Sequence, residues 1–244
     1  MPDSLSGRAI LVTGAGQGLG RIAAMACARH GAGVILLGRS QQKLEAVYDE
    51  ITTAGGPEPA ILPLDLASAT QKDLEAMAGA IHTTFGRLDG IFHGASHFQT
   101  TSPLESIDLE SWRKHANVNL LVPAAITKSC LPLLRRSPSA SVVFLGETHA
   151  RAPAAFWGAF AVPKAALESL VAVWSEELSL TPSVRINLWI PGPIASPMRA
   201  RSHPAEAASR LPQLEDQTGA ILYLLGDASS DLRGACVASA PNSG

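Results

Sequence analysis

The chain has 244 residues, 46% of them hydrophobic and 16% charged, enough apolar material to bury a substantial core in one α/β domain. A formal net charge of -2 leaves no electrostatic footprint for nucleic acid, and no run of like charge points to an anionic membrane surface, so neither partner is expected. Cys27, Cys130 and Cys236 are odd in number, far apart and without metal-ligand spacing, which favours buried or half-buried free thiols over a disulfide or zinc site.

Met1-Pro2-Asp3-Ser4 leads into the first strand without a basic segment followed by a signal-like apolar core. No transmembrane-length run is read either, and a cytoplasmic protein is expected. Ala9-Ile10-Leu11-Val12 is an apolar run suited to a strand buried on both faces, and the alanine-rich stretch 21–30 reads as a helix. Between them lies Thr13-Gly14-Ala15-Gly16-Gln17-Gly18-Leu19-Gly20. This order sets the unpaired N–H groups of a helix start beside a turn without bulky side chains, where a pyrophosphate can reach the backbone and the positive end of the helix dipole.

The alternation continues to the far end of the chain. Strands are predicted at 34–37, 60–65, 88–93, 141–145, 184–190 and 235–238, and helices at 41–54, 70–85, 109–134 and 158–180. Ser40 is a candidate N-cap. Pro63 argues that its strand lies at a sheet edge, and Pro123 and Pro132 predict kinks or breaks in the long helical stretch. The segment 191–212 carries five prolines and three arginines and reads as a long loop with a short helix, set after a strand's carboxyl end where open α/β sheets bind ligands. Strands alternating with helices imply a mainly parallel sheet covered on both faces, in one domain spanning 1–244 with its substrate loop at about 191–212.

Thr13-Gly14-x-x-x-Gly18-x-Gly20, the Asp65-Leu66 pair, Asn119 in Val118-Asn119-Leu120, Lys164 and Pro191-Gly192 together resemble the short-chain dehydrogenase/reductase family over nearly the whole chain. The resemblance implies a single Rossmann-type three-layer domain with a seven-stranded sheet, and a nicotinamide dinucleotide held by Thr13, Gly14, Gly16, Gln17, Gly18, Leu19, Gly20, Arg39, Asp65, Leu66, Gly94, Lys164, Pro191 and Gly192. Asp65 would accept from the adenine amino group. The resemblance further implies homodimers or homotetramers packed through the helices around 105–134 and 158–180.

About twenty residues past the glycine turn, dinucleotide folds place a carboxylate on the ribose 2′-hydroxyl. Here Gly38-Arg39 stands there, and a guanidinium beside a small residue suits a 2′-phosphate, so NADP(H) is favoured over NAD(H). Gln17, where NADP-selective relatives often carry a basic residue, points the other way.

The family's catalytic positions fall on Asn119, Glu147, Phe160 and Lys164. In the family a tyrosine four residues before the lysine moves the proton and a serine thirteen residues earlier binds the substrate oxygen; this chain has Phe160 and Glu147 instead. A general acid–base group is worth about 10²–10⁴ in rate, roughly 3–5 kcal/mol of barrier, so a weak or inactive dehydrogenase is expected. The alternative is an oxidoreductase of an unknown carbonyl or alcohol that moves its proton through Glu147 or water.

Glu147 itself has two readings, a substitute acid or base and a carboxylate paired with Lys164 in a disused site; the second is preferred. Thr148 and His149 read as solvated loop residues, His93 and His97 as ordinary hydrogen-bonded histidines with no metal, and Phe156 and Trp157 as packing at the mouth of the site or a subunit contact.

Overall fold

The computed structural model describes residues 4–181 and 183–239. The outermost residues of the expected 1–244 domain, including Met1 to Asp3, lie outside the described set. The predicted strands are β1 (Ala9–Thr13), β2 (Gly33–Gly38), β3 (Ala60–Pro63), β4 (Gly90–His93), β5 (Ala140–Leu145), β6 (Val184–Ile190) and β7 (Cys236–Ala238). They form a seven-stranded sheet in the order β3-β2-β1-β4-β5-β6-β7, every neighbouring pair parallel. Pro63 ends the edge strand β3, where its missing N–H breaks no ladder on the outer side.

The helices are α1 (Gly18–Arg29), α2 (Gln41–Thr53), α3 (Gln71–Phe85), α4 (Leu109–Ala116), α5 (Val122–Leu134), the single turn α6 (Thr148–Arg151), α7 (Gly158–Glu177), α8 (Pro197–Ser202) and α9 (Thr218–Leu225). Alternation along β1 divides the core, because successive side chains leave a strand on opposite faces. Leu11 joins Leu74, Ile81, Ile126, Leu167 and Val171 of α3, α5 and α7. Ile10 and Val12 join Ile22, Val47 and Ile221 of α1, α2 and α9 on the other face. The result is the expected three layers. Asp89, just before β4, is buried between them and accepts from the Ala9 N–H at 2.9 Å, Ser137 Oγ at 2.6 Å and both Nε and Nη2 of Arg87 at 2.8 and 2.7 Å.

Two expectations about the long helical stretch are corrected. Its irregularity is a π-helical turn over Asn117–Leu121, directly ahead of Pro123, while Pro132 sits inside a continuous α5. Pro132 is tolerated because the carbonyl it leaves unpaired belongs to exposed Lys128. And Leu109–Leu134 is, by length and composition alone, apolar enough to cross a membrane, against the expectation of no such run. Half of its apolar window is buried, with Val118, Ile126, Cys130 and Leu134 in the core.

Candidate functional site

The carboxyl ends of the strands open into a cleft of about 740 Å³, lined by the glycine turn, the start of α2, the loops after β3, β4 and β5, α7, and the segment running from β6 into α8. Of the expected site residues, Gly14, Gly16, Gln17, Gly18, Leu19, Arg39, Asp65, Leu66, Gly94, Glu147, Phe160, Lys164, Pro191 and Gly192 all lie on its wall. Thr13, Gly20 and Asn119 do not; each supports the wall from behind.

At one end α1 starts on Gly18, whose φ of +56° is a left-handed conformation and whose missing Cβ would have projected into open space. Gln17 holds the N-cap position without capping the helix, which leaves the first-turn N–H groups free for an anion. Gly20 is needed for packing instead: a Cβ there would lie 2.2 Å from the Gly14 carbonyl oxygen. Thr13 Oγ1 accepts from the Ala95 N–H at 3.1 Å and so ties β1 to the loop after β4.

Arg39, Ser40 and Lys43 gather at the start of α2 and line the same end. Ser40 holds the N-cap position, as expected, but its hydroxyl makes no capping bond. No motif in the sequence marks Lys43, which joins Arg39 on the cleft wall only in the folded chain. Its Nζ donates to Gln17 Oε1 at 2.7 Å, so Gln17 brings a basic group to the turn without carrying one. Asp65 closes a local turn, accepting from the Ala67 N–H at 3.0 Å.

At the other end Lys164 is buried on α7. Its Nζ donates to the Leu145 carbonyl at 2.8 Å and lies 6.0 Å from the centre of the Phe160 ring. Burial pushes the lysine pKa down to about 8, opposed by the charge of Glu147. The expected Glu147–Lys164 ion pair is not made. Glu147 is the N-cap of α6, and its Oε1 accepts from His149 Nδ1 at 3.1 Å, so the carboxylate serves its own helix start.

His149 is likewise not a solvated loop residue: its ring stacks on Trp157 with centroids 3.9 Å apart and planes 9° from parallel. Thr148 is exposed, as expected. Trp157 is buried with Phe98, Phe160 and Ala161 in a small cluster that Met198 of α8 covers, so it packs at the mouth of the cleft while Phe156 faces solvent.

Asn119 lies in the π-helical turn and spends its amide on the loop after β4. Oδ1 accepts from Ser96 Oγ and the His97 N–H, both at 3.0 Å, and Nδ2 donates to the His97 carbonyl at 2.9 Å. His93 meets Thr127 Oγ1 at 2.8 Å and stacks on Phe144, and burial together with the charge of Lys164 drives its pKa down to about 3. The expectation of a hydrogen-bonded ring holds for His93 alone. The His97 ring packs on His115 at 4.6 Å, and its buried Nε2 has no hydrogen-bond partner. Among the described residues Cys27 and Cys130 are buried free thiols and Cys236 is half-buried.

A helix start opened by glycine, with a basic group beside it and a buried lysine across the cleft, is the form of a dinucleotide site. The family model for short chain dehydrogenases matches residues 8–207. The uncharacterized oxidoreductase YciK of Escherichia coli K12 is 37% identical over 227 residues, covering 93% of this chain and 89% of its own. A short chain dehydrogenase of Shigella flexneri, solved as a complex with NADP, is 35% identical with a TM-score of 0.95, covering 99% of this chain and all of that one. Another from Escherichia coli CFT073, complexed with NADPH, is 36% identical with a TM-score of 0.94, covering 98% of this chain and 99% of that one. The chain therefore belongs to the short chain dehydrogenase family.

Proposed function

We propose that this protein binds NADP(H) and has lost the usual proton-transfer group, so that it reduces carbonyls weakly or not at all. The observation that carries the reading is Phe160: it lies on the cleft wall with the Lys164 Nζ 6.0 Å from its ring centre, and it has no exchangeable proton. The residues present fit the cofactor. Gly18 leaves open space beside the N-terminus of α1 for a pyrophosphate, and Arg39, Ser40 and Lys43 would hold a 2′-phosphate. The relatives solved with NADP and NADPH support the same choice.

When bound, the nicotinamide gives or accepts a hydride. The matching proton has no carrier at position 160, and Lys164 keeps its hydrogen bond on the Leu145 carbonyl. Asn119 holds the loop after β4 through both its amide oxygen and its amide nitrogen.

A second reading rests on the Glu147–His149 contact. A carboxylate that accepts from Nδ1–H leaves imidazole Nε2 as a base, the arrangement that orients histidine in hydrolytic triads. That pair would make the protein an oxidoreductase with a non-standard relay. A homodimer or homotetramer is supported by exposed Leu109, Leu121, Val162 and Val173 on and between α4, α5 and α7, and a cytoplasmic location by the free thiols.

Titrating NADPH and NADH by fluorescence, then following NADPH oxidation with a panel of ketones, aldehydes and quinones, tests the first reading. It expects tighter binding of NADPH and no oxidation. Robust turnover overturns it, and loss of that turnover in Glu147→Gln and His149→Ala would establish the second.

A further inference from the structure

Two cations of the cleft lie outside the glycine turn and the start of α2. Lys114 on α4 and Arg201 on α8 both line the cleft, and among the described residues no carboxylate comes within ion-pair range of either. The contrast within α8 is direct, since Arg199 is held by Glu206 through Nε and Nη2. The cleft's own acids are occupied as well, Asp65 by the Ala67 N–H and Glu147 by His149.

Lys114 and Arg201 bear on one place. Both charges act on His97, whose pKa is pushed down to about 4 by burial and then by the charges of His115, Lys114, Arg39 and Arg201. That ring lines the cleft and carries the unpartnered, buried Nε2. A neutral imidazole and two unmatched cations form an anion-seeking rim. Beside it the wall is apolar: Phe98 meets Phe160 edge-on at 5.3 Å, and Ile194 and Met198 complete the surface.

The geometry points to an organic anion as the ligand of this end of the cleft, an apolar or aromatic body against Phe98, Phe160 and Met198 with its carboxylate on Arg201 and Lys114. Guanidinium is the better partner, because its planar fork matches a carboxylate through two parallel hydrogen bonds. The inference rests on the dinucleotide reading in that Arg39, whose charge also reaches His97, and Lys43 at the start of α2 are left to the cofactor. The same two cations could instead grip a cofactor phosphate, and the test separates these sources.

Calorimetry with 2-naphthoate and its uncharged counterpart 2-naphthamide, with and without NADPH, on wild type and the Lys114→Ala/Arg201→Ala double variant, decides the matter. The expected result is that naphthoate binds wild type at least about tenfold more tightly than naphthamide, and that the double variant loses that advantage while its NADPH affinity stays within about threefold. Equal binding of the two probes, no naphthoate binding, or unchanged naphthoate affinity in the variant overturns the proposal. A collapse of NADPH affinity in the variant also overturns it, by assigning the cations to the cofactor. If wild type fails to bind NADPH, the cofactor reading falls, and the titrations without NADPH still judge this one.

Discussion

The Lys164 Nζ is 6.0 Å from the centre of the Phe160 ring and donates to the Leu145 carbonyl at 2.8 Å, so a buried cation is anchored by backbone and faces a side chain unable to carry a proton. Its pKa of about 8 reflects burial first, with Glu147 pulling the other way. Glu147→Gln removes that support and should lower the lysine pKa by about half a unit to one unit, read from the pH dependence of its Cε shift by NMR. No change would mean that the carboxylate charge does not reach the lysine. The linkage has a definite sign: between about 8 and the unfolded value near 10.4, the unfolded chain holds a proton that the folded chain has released, so this group raises stability as pH rises through that window.

Cofactor choice should reside in Arg39 and Lys43. Replacing both with alanine removes the cations at the start of α2, and NADPH affinity should fall by about 10- to 100-fold, the worth of one or two charge-assisted hydrogen bonds. NADH affinity should stay within a few-fold. Equal losses for both nucleotides would show that these residues support the fold of the site and do not read the 2′-phosphate.

Away from the cleft, Asp89 is the buried polar group with the most at stake. Burial alone would raise its pKa, but Arg87, Ser137 and the Ala9 N–H together hold it below the usual carboxylate range. A depressed carboxyl pKa stabilises the fold above the unfolded value near 3.9, and that stability is lost as pH falls through the folded value. Asp89→Asn should therefore cost about 2–4 kcal/mol in urea unfolding at pH 7, with the difference from wild type shrinking below about pH 4. A pH-independent difference would mean that ionisation of Asp89 is not what stabilises the join between β1 and β4.

Much of this fold was legible because its signals are local. Apolar runs such as Ile10 to Val12 mark strands buried on both faces, and Pro63 marked the edge of the sheet correctly. The replacements at 147 and 160 were visible by counting back from Lys164. What could not be read is whom a side chain chooses. Glu147 was expected on Lys164, but its N-cap geometry turned it to His149, and no pattern in the chain shows that His149 would lie flat on Trp157. Lys43 escaped notice because its importance depends on its contact with the Gln17 amide, 26 residues away in the chain. Pro132 was expected to break a helix, yet the tertiary packing of Cys130, Leu133 and Leu134 holds α5 together through it.

The proton argument is tested most directly by restoring what is missing. NADPH oxidation should be followed for wild type and for the Phe160→Tyr/Glu147→Ser double variant on the same panel of carbonyl compounds. The account predicts wild type at the buffer background and a rise of about 10²- to 10⁴-fold in the variant for at least one compound. Wild-type turnover at an ordinary enzymatic rate, undiminished or unimproved by the exchange, would contradict it.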